Sequence, residues 1–338
     1  SNPESSMTAL ISSIDGLVSC IVPIYNRSLF LQEAVESALL QTYRPIEIII
    51  VDDGSTDDTP QQIKKLVRNA PEVIRSIRIE NSGPGGAREA GLQTSRGEFI
   101  QYLDSDDLLM PHKFEIQVKA LLEKPECGVA YGITRLIDES GRELQCPYKS
   151  SGEKREYLFP GLLMDRWWNT HTPLYRRSVC EAVGPWTNMR MGEDYLYDAR
   201  VGAMGIRLVF CDEIVSCHRD HESGRLTRGV LTKSILRDHV RLIPKLFECA
   251  REAGIQKECK EMQHFSRWAF LTARQAGAVG LVDGAKNCFD VAMSATLTED
   301  IIMKIIGLTA RIVGWRVTGK LCLLRDLLGK IRLTLMCF

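Results

Sequence analysis

The sequence predicts an α/β fold, with a mostly parallel sheet flanked by helices and followed by a helical C-terminal region. From residue 18 onward, short apolar runs rich in β-branched residues alternate with segments of helical period. Continuous apolar strands separated by helices require a sheet that is covered on both faces. From about Gly229 onward, Ala, Leu, Lys and Glu recur at helical spacing with few β-branched runs, which predicts helices only.

The first part of the chain alternates regularly between the two kinds of segment. Each short apolar run indicates a buried strand, and each apolar stripe of helical period indicates a helix that covers the sheet. The predicted strands are 18–24, 46–51, 74–79 and 99–103, and the predicted helices are 30–41, 59–69 and 85–95.

The regular alternation of predicted strands and helices ends after Asp107. The predicted elements beyond it are a helix at 111–123, a strand at 127–134, a loop or hairpin at 139–154, a helix at 193–204, and strands at 207–210 and 214–217. We therefore expect three regions along the 338 residues: a disordered or artificial leader at 1–16, a catalytic α/β domain at 17–228 and a helical region at 229–338.

Composition and charge narrow the class of protein. Lys plus Arg (43) balance Asp plus Glu (43), so no global field favours nucleic acid as a partner. The longest uncharged stretch, 16–26, is far shorter than the ~18 apolar residues of a membrane span. The 11 cysteines include no C-x-x-C pair and indicate reduced thiols in a cytoplasmic protein. The sequential cluster Cys211, Cys217, His218 and His221 lacks the two close ligand pairs of a structural zinc site.

Three predicted strands end in unusually polar segments, at 23–26, 52–57 and 104–107. Because ligands of open parallel sheets bind beyond the carboxyl ends of the strands, we expect these segments to meet at one edge. Acids gathered there repel one another unless a cation or a hydrogen-bond donor satisfies them. Asp104 and Asp106 offer the hard oxygen ligands that suit Mg²⁺ or Mn²⁺ together with a diphosphate.

Five motifs, in this order along the chain, resemble those of the family 2 glycosyltransferases. They are VSCIVPIYN at 18–26, VDDGSTDDT at 51–59, GAREAG at 86–91, YLDSDD at 102–107 and GEDY at 192–195. The resemblance covers roughly residues 17–228. It implies a glycosyltransferase A-type fold, a nucleotide-diphosphate sugar as donor, and inversion at the anomeric carbon.

Matched position by position, the resemblance implies a donor site at the strand ends. Tyr25 stacks on the base, and Asp53 accepts a hydrogen bond from a base N–H, which favours uracil and hence a UDP-sugar. Arg88 lies near the diphosphate, where the start of the 85–95 helix also favours anions. The remaining implied donor contacts are Pro23, Asn26 and Ser105.

The same resemblance implies a bound Mn²⁺ or Mg²⁺. Asp106 ligates the metal directly, and Asp104 binds the ribose or the outer metal shell. Further along, His221 is the better candidate for an additional metal ligand or phosphate contact, and His218 is the second.

The acidic pair Glu193 and Asp194 matches the catalytic acids of the family. Asp194 is implied as the general base, because the attacking acceptor hydroxyl must lose its proton as it displaces the nucleotide. Glu193 orients it or binds the acceptor. Trp167, Trp168 and His171 fall where the family lines the sugar and acceptor pocket.

Two departures from the family pattern matter. Glu89 stands where the family often has asparagine, which puts one donor contact in doubt. The Q-x-x-R-W motif of the membrane-embedded synthases is absent, because Gln263 stands one residue too far from Arg267-Trp268. We therefore expect single sugar additions to a saccharide or a lipid-linked saccharide, in polysaccharide or glycolipid synthesis.

Other classes of protein fit the residues less well. A dinucleotide-binding dehydrogenase requires G-x-G-x-x-G after the first strand, where Tyr25-Asn26 stands instead. A catalytically silent nucleotide-sugar-binding or scaffold protein of the same fold would not need to keep both Asp106 and Asp194.

The C-terminal segment 301–338 is basic and amphipathic. It carries seven Lys or Arg residues against one acid, Asp326, among many apolar residues. Such a helix suits the inner face of a plasma membrane, as a peripheral contact, or it packs on its own domain or on a second subunit, as in a homodimer. These two alternatives are equally open from the sequence.

Overall fold

The structure, a computed structural model, describes residues 13–221, 232–297 and 301–335, with side chains to residue 326. Most of the predicted leader, 1–16, and the predicted boundary at 228–229 lie outside the described residues. Both therefore stay predictions.

The first seven elements alternate between strand and helix, as predicted. Their bounds are β1 Ile14–Ile24, α1 Leu31–Leu39, β2 Ile46–Asp52, α2 Thr59–Asn69, β3 Ile74–Arg78, α3 Gly83–Thr94 and β4 Gly97–Tyr102. β1 begins four residues before the predicted start, because the amide of Ile14 still donates to the carbonyl of Arg96 at 2.8 Å. α3 begins at Gly83, before the predicted start at residue 85, because Pro84 fits a first helical turn.

The remaining elements are more irregular. They are β5 Leu108–Leu109, α4 Lys113–Glu123, β6 Cys127–Ile137, β7 Glu143–Gln145, β8 Leu174–Arg176, α5 Arg177–Val183, α6 Glu193–Ala203, β9 Arg207–Arg219, α7 Lys233–Glu252, α8 Lys260–Ala278, α9 Val282–Ala295, α10 Ile301–Val313 and α11 Trp315–Leu335. Of the two alternatives for 139–154, the structure has a hairpin, in which β7 pairs with β6.

The prediction of two strands at 207–210 and 214–217 was wrong, because β9 is one continuous strand. The polar pair Asp212 and Glu213 suggested a turn. In the structure these two residues are exposed positions within β9, and Cys211 and Val215 of the same strand are buried. β5 and β8 were not predicted, since two or three residues carry no period.

The described strands form one nine-stranded sheet in the order β3-β2-β1-β4-β8-β6-β9-β5, with β7 beside β6. β1 pairs in parallel with β2 and β4, and β2 pairs in parallel with β3. β8 pairs antiparallel with β4 and β6, and β5 pairs antiparallel with β9. The sheet is therefore mixed, with a parallel half in which the acidic segments follow the strands.

The parallel half is buried on both faces. Every residue of β2 is buried, as is every residue of β1 from Leu17 onward. At Gly91 of α3, an added Cβ would lie 2.3 Å from Cγ2 of Ile21, so only glycine permits this approach of the helix to β1. Since α3 connects two parallel strands, its N-terminus lies at their carboxyl ends.

The chain divides into two compact units, each described separately below. The sheet unit comprises the described residues up to Lys154 together with Trp168–Pro185 and Val209–Asp220. The helical unit comprises Arg155–Trp167, Trp186–Leu208 and the described residues from His221 onward. Within the ranges that the structure describes, no helix combines the length and apolar character needed to cross a bilayer.

A lysine is buried in the core of the sheet unit. Lys113, the first residue of α4, is fully buried, and its Nζ donates to Oε1 of Gln117 at 2.5 Å and to the carbonyl of Thr172 at 2.8 Å. Burial lowers the pKa of Lys113 to about 7. The folded state therefore loses a proton that the unfolded chain, with a lysine pKa of about 10.4, still holds.

We expect this lysine to make the stability pH-dependent above pH 7. The unfolded state binds more protons there, so the free energy of unfolding rises by roughly 1–2 kcal/mol between pH 7 and about 8.5 because of Lys113. Lys113→Met removes this contribution, whereas Lys119→Met, at an exposed position of the same helix, keeps it. Urea titrations of the three proteins across this pH range measure the difference. Parallel pH profiles for wild type and Lys113→Met would show that the lysine stays charged.

Candidate functional site

The loops after β1 and β2 are tied together by hydrogen bonds. Asn26 has a positive φ of 47°, and its Oδ1 accepts from the amide of Thr56 at 2.7 Å. The amide of Asn26 donates to Oγ of Ser55 at 3.0 Å, and the amide of Ser55 donates to Oδ1 of Asp52 at 2.8 Å. Asparagine tolerates this left-handed backbone better than most residues. Asn26 therefore fixes the geometry of the strand-end loops.

Asp53 links the loop after β2 to the N-terminus of α3. Its carboxylate accepts from the amides of Ser82 at 2.7 Å and Gly83 at 2.9 Å. Burial raises the pKa of Asp53, and these amide donors oppose the rise. The start of α3 is thus held at the carboxyl end of β2, with its helix dipole directed toward the strand ends.

Arg88 pairs with Asp104 at 2.7 Å between Nη2 and Oδ1. Arg88 lies in α3 and is buried, whereas the side chain of Asp104 is 33% exposed. The resemblance assigned one of these residues to the diphosphate and the other to the ribose or metal, and the structure brings them into direct contact.

Asp106 pairs with Arg27, with 2.9 Å between Nη1 and Oδ2. Arg27 lies in the loop that follows β1, and its side chain is 29% exposed. Ser105, between the two acids, is buried. The acidic loop after β4 therefore lies among arginines from two other segments, which offset the repulsion between its carboxylates.

Asp107, the third acid of this loop, is buried against two histidines. Nδ1 of His171 lies 2.8 Å from Oδ2 of Asp107, and Nδ1 of His218 lies 3.0 Å from Oδ1. Burial by itself raises the pKa of Asp107, but the charges and hydrogen bonds of the two histidines outweigh it and hold the pKa well below its usual range.

The three residues also have ligand atoms within 4.8 Å of one another, an arrangement that a metal ion can occupy. The distances to the carboxylate are those of charge-assisted hydrogen bonds, which explains the arrangement without an ion. His221 is not a member of this cluster, which contains His218, the second candidate of the sequence analysis.

Arg219 connects the acidic loop to α1. Its amide donates to Oδ1 of Asp107 at 2.8 Å, and its Nη2 lies 2.6 Å from Oε2 of Glu33. The guanidinium also lies over the ring of Phe30, 4.5 Å from the centroid. Arg219 and Asp107 therefore anchor β9 to the loop that carries Asp106.

The other predicted donor residues of the sheet unit differ in exposure. Pro23 is buried within β1, in register with Val51. The side chain of Tyr25 is 49% exposed, so its ring has a face available for stacking. Trp168 is fully buried and packs edge-to-face on Tyr131, with 5.5 Å between centroids. The tryptophan is a core residue.

In the helical unit, Glu193 and Asp194 open α6. The helix is preceded by Gly192, whose positive φ of 79° is a conformation that L side chains rarely adopt. Oδ2 of Asp194 lies 2.8 Å from Nη1 of Arg166, and Nε of the same arginine lies 2.7 Å from Oδ2 of Asp198. Arg166 thus fixes the position of the Asp194 carboxylate, which is 28% exposed.

Glu193 and His221 are both buried in the helical unit. Trp167 belongs to this unit as well and is buried, with the guanidinium of Arg155 over its ring at 5.1 Å. The structure therefore places the predicted donor residues in one unit, and both predicted catalytic acids, with His221, in the other.

Sequence reasoning missed several partners of the predicted residues. Arg27, Arg166 and Asp198 belong to none of the five motifs. The backbone amides that hold Asp53 have no sequence signal beyond Ser82-Gly83-Pro84, which is typical of a helix start. These contacts join segments that are far apart in the chain.

The acidic loop fits a hard divalent cation. Asp104 and Asp106 are two residues apart after β4, and the side chain of Asp104 is partly exposed. Mg²⁺ and Mn²⁺ are bound by one or two carboxylates together with phosphate oxygens, and this donor set satisfies that requirement. Arg27 and Arg88 beside it carry the planar donors that suit a diphosphate.

Comparisons with known proteins point to one family. The model of the family described as "Glycosyl transferase family 2" matches residues 19–183. An uncharacterized glycosyltransferase of Nostoc sp. is 35% identical over 172 residues, which are 50% of this chain and 53% of the relative. The chondroitin synthase of Escherichia coli is 34% identical over 174 residues, which are 49% of this chain and 25% of the synthase. The chain thus spans about half the length of the first relative and a quarter of the second.

Solved structures share the fold at low sequence identity. S. aureus TarS 1-349 in complex with UDP has a TM-score of 0.65 at 17% identity, and the match covers 90% of both chains. The mannosyltransferase PcManGT from Pyrobaculum calidifontis, in complex with GDP-Man and Mn²⁺, has a TM-score of 0.52 at 15% identity, with 91% of this chain and 87% of that chain covered. The fold is of the glycosyltransferase A type, with its mixed sheet, flanking helices and helical C-terminal region. Sequence and fold therefore agree that residues 19–183, just under half of the chain, form a domain of the family 2 glycosyltransferase type.

Proposed function

We propose that the chain is an inverting, metal-dependent glycosyltransferase. It moves a sugar from a UDP-sugar to a hydroxyl of a saccharide or lipid-linked saccharide, in polysaccharide or glycolipid synthesis. The observation that carries the proposal is the pair of contacts Arg27–Asp106 and Arg88–Asp104 at the strand ends. Carboxylates there suit a cation, and the neighbouring guanidinium groups suit the diphosphate that the cation accompanies.

The base of the donor is recognised by Tyr25 and Asp53. Tyr25 offers an exposed ring face for stacking. Asp53 accepts from the backbone amides of Ser82 and Gly83 and, at longer distance, from the side chains of Asn81 at 3.3 Å and Ser82 at 3.5 Å, so the N–H of uracil takes the place of one of these two side-chain donors. The bound nucleotides of two similar structures, UDP in one and UDP-GlcNAc in another, support this class of donor.

The diphosphate is held by arginines and by the start of α3. Arg88 lies in that helix, whose N-terminal amides attract anions. Asp106 and Asp104 hold Mn²⁺ or Mg²⁺, and the ion when bound supplies positive charge to the leaving diphosphate. Pro23, Asn26 and Ser105 shape the loops around the nucleotide.

Asp194 accepts the proton of the acceptor hydroxyl as that oxygen attacks the anomeric carbon. Arg166 holds the carboxylate in one orientation through its 2.8 Å contact, and Asp198 in turn holds Arg166. Glu193, buried beside it at the helix start, orients the acceptor site. A single displacement from the side opposite the nucleotide inverts the anomeric carbon.

Calorimetry with UDP, GDP, CDP and ADP, each with and without Mn²⁺, tests the donor site. We expect UDP to bind more tightly than the other three nucleotides when Mn²⁺ is present. Without Mn²⁺, we expect the affinity for UDP to be low. Asp106→Ala lowers the affinity at least about tenfold, because a charge-assisted contact is worth more than about 1.4 kcal/mol. Glu126→Ala, at an exposed position of the sheet unit, serves as the control and keeps wild-type affinity.

Each outcome has a distinct meaning. Equal binding with and without Mn²⁺ contradicts the metal site, and a preference for another nucleotide contradicts the role of Asp53. Metal-dependent UDP binding with no turnover of any UDP-sugar favours a catalytically silent nucleotide-sugar-binding protein of the same fold.

A further inference from the structure

An exposed apolar stripe runs along α10 of the helical unit. Ile301, Ile305, Leu308 and Ile312 are between 57% and 74% exposed. Their spacing of four, three and four residues places them on one face of a helix. Large aliphatic side chains that cluster in this way on a protein surface mark an interaction site, whereas isolated ones do not.

The opposite face of α10 is packed into the helical unit. Met303, Ile306 and Ala310 are buried, and at Gly307 an added Cβ would lie 2.5 Å from Cζ of Phe289 in α9. The helix is therefore docked through one apolar face and displays the other. Its exposed stripe is a feature of the folded unit.

α11 continues the same pattern. Val317, Leu321 and Leu324 are between 47% and 54% exposed and again share one face. On the other side, an added Cβ at Gly319 would lie 2.5 Å from the carbonyl oxygen of Arg274 in α8, so α11 packs closely on α8. Two consecutive helices thus each present an apolar stripe on the side turned away from their own unit.

Cations border these stripes. Besides Lys304 on α10, four further exposed basic residues lie among the apolar positions, namely Arg311, Arg316, Lys320 and Arg325. Asp326, the acid of α11, lies 3.2 Å from Arg274 and is thereby paired within the unit. We call these seven apolar and four basic residues together the C-terminal face. On each of the two helices, helical spacing places the basic residues beside the apolar stripe.

We propose that the C-terminal face binds the surface of an anionic lipid bilayer, with α10 and α11 lying in the plane of the headgroups. The aliphatic side chains enter the boundary between headgroups and acyl chains, and Lys and Arg meet the lipid phosphates. This inference goes beyond the proposed function, and it favours a lipid-linked acceptor at the same surface.

Charge favours a bilayer over a second copy of the chain. A symmetric dimer through this face would bring the same four cations of each copy together, because both partners contribute the same patch. Like charges at such an interface oppose association. An anionic bilayer supplies the opposite charge to these cations.

Co-sedimentation with vesicles tests the proposal. We expect wild type to bind vesicles of phosphatidylcholine with 30% phosphatidylglycerol, and to bind phosphatidylcholine alone much more weakly. Ile305→Ser with Ile312→Ser lowers the partition coefficient at least about tenfold, since each residue loses an inserted aliphatic side chain. Replacing Arg311, Arg316, Lys320 and Arg325 by glutamine lowers it at least about 100-fold on the anionic vesicles.

Matched controls keep the result specific to this face. Leu40→Ser with Leu122→Ser removes two equally exposed aliphatic side chains elsewhere, and glutamine at Lys64, Lys65, Arg68 and Lys119 removes four exposed charges elsewhere. Both control proteins retain wild-type binding. UDP affinity measured on the same preparations reports the donor site separately, so a failure of one proposal does not affect the other.

Three outcomes would overturn the proposal. In the first, wild type sediments with neither type of vesicle, and in the second, the control variants lose binding as strongly as the test variants. In the third, sedimentation velocity shows a dimer that Ile305→Ser with Ile312→Ser dissociates, while vesicles bind nothing. That result would assign the C-terminal face to a second copy of the chain.

Discussion

Asp194→Asn lowers the rate of sugar transfer by about 100- to 10,000-fold, the usual range for loss of a general base. The amide keeps the size of the side chain and one oxygen near Arg166, so the local structure changes little. It cannot accept the proton of the acceptor hydroxyl. The rate is measured as UDP released from whichever UDP-sugar the wild type turns over, and UDP affinity is measured by calorimetry. We expect the affinity to stay within about twofold of wild type, because the lost interaction acts on the reacting hydroxyl.

Asp283→Asn is the matched control for this variant. Asp283 is an exposed acid in the first turn of α9, in the same kind of helical position as Asp194. It should have wild-type turnover. If Asp194→Asn retained at least a third of the wild-type rate, another residue would have to be the base. Loss of UDP affinity in Asp194→Asn would instead make the residue part of the donor site.

Asp107→Ala lowers the free energy of unfolding by about 3–5 kcal/mol, as expected when one partner of a buried charged cluster is removed. The change leaves the fully buried His171 without the Asp107 carboxylate as its partner. It also removes the acceptor of the Arg219 amide. Since Asp107 adjoins Asp106, we also expect the acidic loop to lose its fixed position. Urea unfolding followed by circular dichroism gives the change in free energy.

The control for this variant is Asp15→Ala, which replaces an exposed acid at the start of β1 and changes stability by no more than about 0.5 kcal/mol. Asp107→Asn retains a side-chain acceptor and should lose less stability than Asp107→Ala. If both Asp107 variants unfolded at the wild-type urea concentration, the two histidines would not depend on the carboxylate for their burial.

Local signals in the sequence predicted the regular elements well. The helix at Thr59–Asn69 was predicted with its observed bounds, because Pro60 favours a first turn and the apolar positions Ile63 and Leu66 recur at helical spacing. β9 was divided wrongly because two exposed acids interrupt its apolar run. β8 was missed because a three-residue strand depends on its neighbours β4 and β6 rather than on its own sequence.

In the acidic loop, too, some residues could be predicted from the sequence and others could not. Asp104, Asp106 and Arg88 could be selected from the order of their motifs. The partner of Asp106 could not, because Arg27 follows a different strand and carries no motif of its own. The same holds for Arg166, whose contact with Asp194 joins two separate segments of the helical unit.

The sequence by itself determined where strands and helices alternate, and therefore which polar residues follow the strands of the parallel half. That information is local, since apolar period and turn residues act within a few positions of the chain. Only the tertiary structure decided that Asp107 lies between His171 and His218, the latter 111 residues further along the chain. Such a contact exists because β5 pairs with β9, and the pairing of distant strands depends on the whole folded chain rather than on any local segment.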